Sequence, residues 1–382
     1  MIIARTVPHF YPRVTGPGKQ AYHISKGMEE HGLCSIIFTT TPERPEVDTE
    51  VDLTSLDIRR LAVSFRFMQF DVAPSFPKAM LNQEFDILHA HEYREYLGTI
   101  GFITARMKRK PFVLQPHGSL VAYARTLPNR FWRPYVCYDL ATRKAIVRKA
   151  DAIVVSTSQE LREATQFGSP PDRIHVIPPG ITVRAEASKQ AGGRLRLLFV
   201  GRISAGRRVH DIIRAFALAA RTVSAELTIV GGAERLSFSE RPGYYEDLVD
   251  LARQLGVADR VKFIGPVYGQ FLEEMYNKAD VFVHASAYES FGQTLLEAAA
   301  HRLPILSTPV GAANDLVVPG ETGFLFDVGD TDALAQHIQD FAESKGRIRE
   351  MSRQLVEIVR TRYDWTRILS AYRELYERLA AR

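Results

Sequence analysis

Short apolar runs alternate with amphipathic stretches along most of the chain, the pattern of strands and helices wound around a parallel sheet. In the first half, Met1–Val7, Ser35–Thr40, Phe85–His89, Phe112–Gln115, Ala152–Ser156 and Arg173–Ile177 read as strands. Lys19–Glu30, closed by Gly32, and Ser158–Phe167 read as helices, with Thr15-Gly16-Pro17-Gly18 as a turn between strand and helix. Pro178-Pro179-Gly180 ends this set, and the small, polar Arg184–Gly193 has the composition of an interdomain linker. The alternation restarts at Leu195. Leu197–Val200, Leu227–Val230, Val261–Gly265, Val281–His284, Pro304–Ser307 and Gly323–Phe326 read as strands, and Val209–Ala220, Tyr244–Gln254 and Phe271–Lys278 as helices. Three helical stretches finish the chain, the last about Trp365–Ala380, with Ile368, Tyr372, Leu375, Tyr376 and Leu379 on one stripe. The reading is an α/β chain of 382 residues in two domains.

Composition narrows the class. The chain is 46% hydrophobic and 24% charged, with no apolar run near the ~20 residues that span a bilayer. Met1-Ile2-Ile3-Ala4 leads straight into a strand without a basic n-region, so no signal peptide and a cytoplasmic location are expected. Cys34 and Cys137 are too few and too far apart for a disulfide framework or a metal site, and read as small core residues. The net charge of +5 is uneven: residues 1–185 carry 24 Lys and Arg against 18 Asp and Glu. Within 94–149 there are twelve basic residues against Glu95 and Asp139. Such a field attracts an anionic membrane, nucleic acid or anionic substrate, or is a solvated basic face with no partner.

The chemistry concentrates at strand ends. Tyr288-Glu289-Ser290-Phe291-Gly292-Gln293-Thr294-Leu295-Leu296-Glu297-Ala298 follows a buried-strand pattern and becomes a helix. Ser290 with Gln293 fits a capping box, and Gly292 lets a ligand approach the backbone. The amides and positive dipole end there favour an anion such as a diphosphate, while Glu289 and Glu297 offer acceptor-only carboxylates to sugar hydroxyls. An ordinary helix with two surface glutamates is the plain alternative. Gly201-Arg202-Ile203-Ser204-Ala205-Gly206-Arg207-Arg208 sets three arginines between a strand and a helix, a phosphate cradle or a solvated loop. His117, just after Phe112–Gln115, suits a sugar hydrogen bond, a proton relay or a structural turn bond. His89 and His91 have H-x-H spacing but no evident third metal ligand. The Gly16–Gly18 turn is not a dinucleotide fingerprint. Phe65–Phe70 and Arg125–Tyr138 mix aromatics with arginines, which suits a membrane interface or polymeric acceptor, or a helix packing its aromatics inward.

Gly201-Arg202 followed by Arg207, then Phe263-x-Gly265, then Glu289-x7-Glu297 within Glu-Ser-Phe-Gly-x-x-x-Leu-Glu-Ala, resembles the family-four retaining glycosyltransferases (glycosyl transferases group 1) of the GT-B fold. The resemblance covers nearly the whole chain. It implies two facing Rossmann-like domains with a deep interdomain cleft. Residues 1–183 would bind the acceptor, 184–193 link, 194–363 bind the nucleotide sugar, and 364–382 form a helix crossing back to the first domain. By motif position, Gly201, Arg202 and Arg207 would hold the diphosphate, and Phe263 to Val267, with Gly265 and Val267, would border the base. Glu297 would bind the ribose. Glu289, with the backbone of Phe291, Gly292, Gln293, Thr294 and Leu295, would hold the donor sugar and phosphate. His117 matches a His near the donor sugar, and Gly16 and Gly18 lie on the acceptor side. This chain departs from the family at Arg207-Arg208, where Lys-Gly is usual, at Pro179 for a common Asn, and at Pro17 between the first loop's glycines.

The implied activity is metal-independent transfer of a hexose-type sugar, with retention, from a nucleoside-diphosphate sugar to an acceptor hydroxyl in polysaccharide, glycolipid or other glycoconjugate synthesis. No cofactor is implied beyond the donor itself. The expected partners are a carbohydrate or lipid-linked acceptor and peripheral contact with anionic membrane at the cytoplasmic face through 94–149, with no nucleic acid. A sugar-nucleotide epimerase shares the architecture but would need no acceptor, and the Glu-Ser-Phe-Gly context speaks against it. A non-catalytic nucleotide-sugar binder is suggested by Arg208, while the missing glycine fingerprint disfavours an NAD-dependent dehydrogenase.

Overall fold

The computed structural model describes residues 1–12, 15–42, 51–67, 70–121, 132–184, 193–232 and 243–381. The chain divides into two compact units, Met1–Gly180 with Trp365–Arg382, and Ile181–Asp364. The first unit ends at Gly180 rather than at residue 183, because Ile181 and Val183 pack against the second unit's core. Most of the expected linker, 185–192, lies outside the described residues; Arg184 pairs with Glu273 in the second unit.

The first unit holds β1 (Ile2–Thr6), β2 (Cys34–Thr40), β3 (Asp57–Leu61), β4 (Phe65–Phe67), β5 (Phe70–Val72), β6 (Ile87–His91), β7 (Phe112–Gln115), β8 (Ala152–Val155) and β9 (Ile174–Val176). Seven of these form one parallel sheet in the order β3-β2-β1-β6-β7-β8-β9. Its central strands are buried throughout, as expected when helices cover both faces. β4 and β5 pair antiparallel apart from this sheet, with Phe65 exposed; residues 68–69 of the Phe65–Phe70 stretch lie outside the described residues. Helix Trp132–Thr142 turns Tyr135 inward, and Tyr138 packs on Tyr93 and Phe70, so the inward-packing reading holds for this part; residues 122–131 lie outside the described residues.

The second unit holds β10 (Leu195–Val200), β11 (Ala225–Val230), β12 (Val261–Gly265), β13 (Val281–His284), β14 (Ile305–Ser307) and β15 (Gly323–Leu325). They form a parallel sheet in the order β12-β11-β10-β13-β14-β15, with an apolar layer on each face. Both units are therefore doubly wound, and the strand order reverses between β1 and β6 and between β10 and β13. In open α/β sheets, the crevice outside the carboxyl ends of the strands at this reversal receives ligands.

The last helix, Trp365–Ala380, belongs to the first unit. Its stripe of Ile368, Leu369, Tyr372, Leu375, Tyr376 and Leu379 packs with Ile3, Ile24, Met28 and Val154. Each fully buried side chain of this size stabilises by about 2 kcal/mol. Gly27 and Gly180 permit the contact, since a β-carbon at either would overlap Leu369 or Trp365.

Four local expectations are corrected. Gly16 to Gly18 is the first turn of helix Gly16–Glu29 rather than a turn before it. Thr15 caps that helix by accepting from the Gly18 amide (3.0 Å), and Pro17 sits where a missing amide costs nothing. Ser290 is not a helix cap: the helix is Gln293–Ala300, and its N-cap is Gly292. Cys34 and Cys137 are exposed, Cys34 because it opens β2 at the solvent end and Cys137 because it lies on the outer face of its helix. The basic tract 94–149 is not all field. Arg94 is buried in a bidentate pair with Asp139, Arg106 pairs with Asp151, and Lys108 pairs with Glu84. No described helix is long and apolar enough to cross a membrane.

Candidate active site

The strand reversal in the second unit falls between β10 and β13, and the loops that leave these two strands meet. After β10 the backbone runs through Gly201 and a short turn, Ala205–Arg207, before helix Val209–Ala219. After β13 it runs through Ala285 and Ser286 to Glu289. The Ala287 amide donates to the Gly206 carbonyl (2.9 Å), tying one loop to the other. Arg207 Nη1 forms an ion pair with Glu289 Oε1 and donates to Ser286 Oγ (3.3 Å). Burial, and then the neighbouring Arg202, push Arg207 down to about 10, which leaves it charged at neutral pH. Arg202 is more exposed.

Helix Gln293–Ala300 starts beside this pair. Gly292 takes a left-handed φ of 84°, and no side chain caps the first turn. The Leu295 amide donates to the Gly292 carbonyl (2.9 Å), so the amides of Gln293 and Thr294 are the ones that face an approaching anion, with the helix dipole in favour. Gly311 supports the loop from below: its own β-carbon would collide with the Phe291 carbonyl, and the Ala312 amide donates to that carbonyl at 2.7 Å. Glu297 projects from the same helix and accepts a hydrogen bond from the buried Tyr276 hydroxyl (2.9 Å).

On the other side of β10, three strand ends close together on glycines. The Gly201 amide donates to Val230, and the Gly231 amide donates to Gly265 (2.9 Å). Gly231 has φ 143° and lies flat against the Gly201 carbonyl. Phe263 and Gly265 of β12, and Val267 just after it, therefore sit two strands over from β10, with β11 between. Arg208, at the position of concern, adopts a left-handed φ of 51°, and Asp211 holds its Nε at 2.5 Å.

His117 and Gly16 and Gly18 belong to the first unit. His117 follows β7 with φ 51°, and its ring stacks on His91, with His117 Nε2 3.0 Å from His91 Nδ1. His89 stacks on the far face of His91. Burial pushes His117 down to about 3, and His89 and His91 also far down, so the column is neutral. Glu160 accepts from the amides of Gly118 (2.6 Å) and Ser156 (2.7 Å), which pins the turn carrying His117. Fully buried Arg5 donates to His89 Nδ1 (2.9 Å) and to the Tyr376 hydroxyl (3.0 Å), tying the last helix into this group. Among the described residues, no three His, Cys, Asp or Glu side chains are grouped to hold a metal ion.

Sequence reasoning brought Arg207 and Glu289 together through their motif, but missed His284, Ser286, Ser307 and Tyr276. The only signal for His284 was a polar residue ending an otherwise apolar strand.

Two doubly wound parallel-sheet units, with the final helix returned to the first, define the GT-B class of glycosyltransferase fold. Residues 183–362 match the family model described as glycosyl transferases group 1, and residues 15–180 match that of a glycosyl transferase 4-like domain. The chain belongs to this glycosyltransferase family. It is 30% identical to D-inositol 3-phosphate glycosyltransferase of Nocardia farcinica over 71% of this chain and 62% of that one. It is 27% identical to the enzyme of the same name from Thermomonospora curvata over 92% and 88%. The chain thus spans less than two thirds of the first relative's length. The structure of Anabaena HepE in complex with UDP superposes with a TM-score of 0.80 at 20% identity, covering 99% of this chain and 100% of that one.

Proposed function

We propose that this protein transfers a hexose-type sugar from a nucleoside-diphosphate sugar to an acceptor hydroxyl, with retention and without a required metal. The Arg207–Glu289 pair beside the side-chain-free helix start at Gly292 carries the reading. As the glycosidic bond breaks, negative charge grows on the leaving diphosphate. Arg202, Arg207 and the first-turn amides of Gln293–Ala300 stabilise it electrostatically, in the role a metal plays elsewhere. Glu297 takes the ribose hydroxyls, and Phe263, Gly265 and Val267 border the base. Glu289, with the backbone of Phe291 to Leu295, holds the sugar. The leaving phosphate helps deprotonate the acceptor on the same face, so no protein nucleophile is assigned. The acceptor binds on the first unit, on the side of Gly16 and Gly18.

The acceptor is a glycolipid or another glycoconjugate presented at an anionic membrane. Ile103 and Met107 of helix Tyr96–Met107, and Val136 and Leu140 of helix Trp132–Thr142, form exposed apolar pairs one turn apart. Arg109, Arg133 and Lys144 accompany them, the composition that seats a helix in a lipid headgroup layer. Vesicle sedimentation at low salt should retain the protein on anionic vesicles and not on neutral ones.

UDP is the first nucleotide to try, since the HepE structure holds it. Thermal melting with UDP-, GDP-, ADP- and dTDP-sugars, run beside Glu297→Ala, tests the donor site. One nucleotide should raise Tm, and Glu297→Ala should abolish the rise. No rise with any of them would sink the reading.

A further inference from the structure

His284 ends β13 fully buried, and it touches the donor-site pair from behind. Its Nε2 lies 3.1 Å from Ser286 Oγ and 3.3 Å from Glu289 Oε1, and its Nδ1 lies 3.3 Å from Ser307 Oγ at the end of β14. We propose that His284, as the neutral Nδ1–H tautomer, is the positioning residue that holds Ser286, and through it Arg207, in place. This rests on the reading of Arg207 as a diphosphate-binding group.

The hydrogen inventory fixes the tautomer. A hydroxyl has one hydrogen to give. Ser307 spends its hydrogen on the Thr308 carbonyl (2.8 Å), so Ser307 Oγ can only accept from the ring, and the ring proton sits on Nδ1. Nε2 is then an acceptor, and Ser286 donates to it. The lone pair of Ser286 Oγ is left facing Arg207 Nη1, which donates at 3.3 Å. Thr308 closes the chain by donating to the Ser286 carbonyl (2.7 Å). One direction of donation runs through every member: Arg207 to Ser286, Ser286 to His284, His284 to Ser307, Ser307 to Thr308. Glu289 Oε1 takes its hydrogen from Arg207 rather than from the ring. Burial, with Arg207 adding to it, keeps the imidazole neutral. An Nε2–H tautomer would leave Ser307 and Nδ1 without a hydrogen between them, since Ser307 gives its own to Thr308. Which nitrogen carries the proton is set by what the other one binds.

Two measurements on the full chain test this. Histidine 15N spectra of the resting protein, with His284 assigned by its loss in His284→Asn, should show a protonated Nδ1 and a bare Nε2 between pH 6 and 8. A protonated Nε2, or an imidazolium, overturns the proposal. The second measurement compares the nucleoside monophosphate and diphosphate of whichever base wins the melting panel of UDP, GDP, ADP and dTDP. His284→Leu should weaken the diphosphate at least tenfold and leave the monophosphate within twofold, because Glu297 and the base border do not touch His284. Equal weakening of both, or of neither, assigns His284 a purely structural role and overturns the proposal. If the wild type binds no nucleotide, the donor-site reading fails, and the tautomer measurement decides the proposal alone.

Discussion

The Tyr276 hydroxyl donates to Glu297 Oε2 at 2.9 Å from a fully buried ring, which stacks on His301. Burial, with the adjacent carboxylate, raises Tyr276 well above its usual value, so it stays a donor at any working pH. The bond holds Glu297 in one orientation. Tyr276→Phe keeps the ring and removes the donor, and a hydrogen bond to a charged group contributes about 2 kcal/mol. A rise in Kd for the nucleotide of up to roughly thirtyfold is expected by titration calorimetry, with little change in fold. An unchanged Kd would detach Glu297 from nucleotide binding.

Gly231 tests the close approach of the β10 and β11 ends. At φ 143° a β-carbon there would overlap the Gly201 carbonyl, which belongs to the backbone of the loop after β10. Gly231→Ala therefore combines backbone strain with overpacking and should cost about 3 kcal/mol. Scanning calorimetry should show a transition lowered by roughly 10 °C. A melting curve matching the wild type would mean that the two strand ends are not held this closely.

Arg208 occupies a left-handed position where glycine would be relaxed, at a cost of about 1 kcal/mol. Its guanidinium is drawn toward Asp211 and Gly329. Arg208→Gly should relieve the backbone and lose the ion pair, leaving Tm nearly unchanged and the diphosphate Kd within twofold. A tenfold gain in affinity would instead identify Arg208 as an obstruction of the phosphate site, and the non-catalytic reading would gain ground.

How much of this was legible in the sequence follows from the range of each interaction. The sheet strands buried on both faces announce themselves as apolar runs, and β7 and β13 have the bounds that the pattern gives. β3 does not, because Asp57-Ile58-Arg59-Arg60-Leu61 is an edge strand with exposed charges. Helix Tyr96–Met107 is apolar around most of its circumference and carries Gly98 and Gly101, so it lacks a clear helical period. At the site, Arg207 and Glu289 stand in a local motif and could be read. His284 could not, since its tautomer depends on Ser307, 23 residues away, and on a sheet order that no short window contains.

The buried histidines predict how stability depends on pH. His89 and His91 are pushed far below their usual value by burial, and His117 and His284 to about 3 for the same reason. Each is neutral in the fold and protonated in the unfolded chain below about pH 6.5, so the unfolded state binds more protons there. Stability is therefore fully present above 6.5 and is lost as pH falls toward 3, by up to about 1.4 kcal/mol per histidine per pH unit. Two buried carboxyls oppose this. Burial raises Glu160 to about 7 and Glu95 well above its usual value, so each holds its proton in the fold, and its contribution declines as pH rises from about 4.5. Below pH 6.5, four groups against two leave the histidines dominant. Urea midpoints measured from pH 6.5 down to 5 should fall steadily. Glu160→Gln, which cannot ionise, should narrow its stability gap from the wild type as pH drops if its negative charge is what the turn at Gly118 needs, and widen its advantage with rising pH if burial of that charge dominates. The raised carboxyl predicts the second outcome. A midpoint that stays level from 6.5 to 5 would contradict the neutral histidine column.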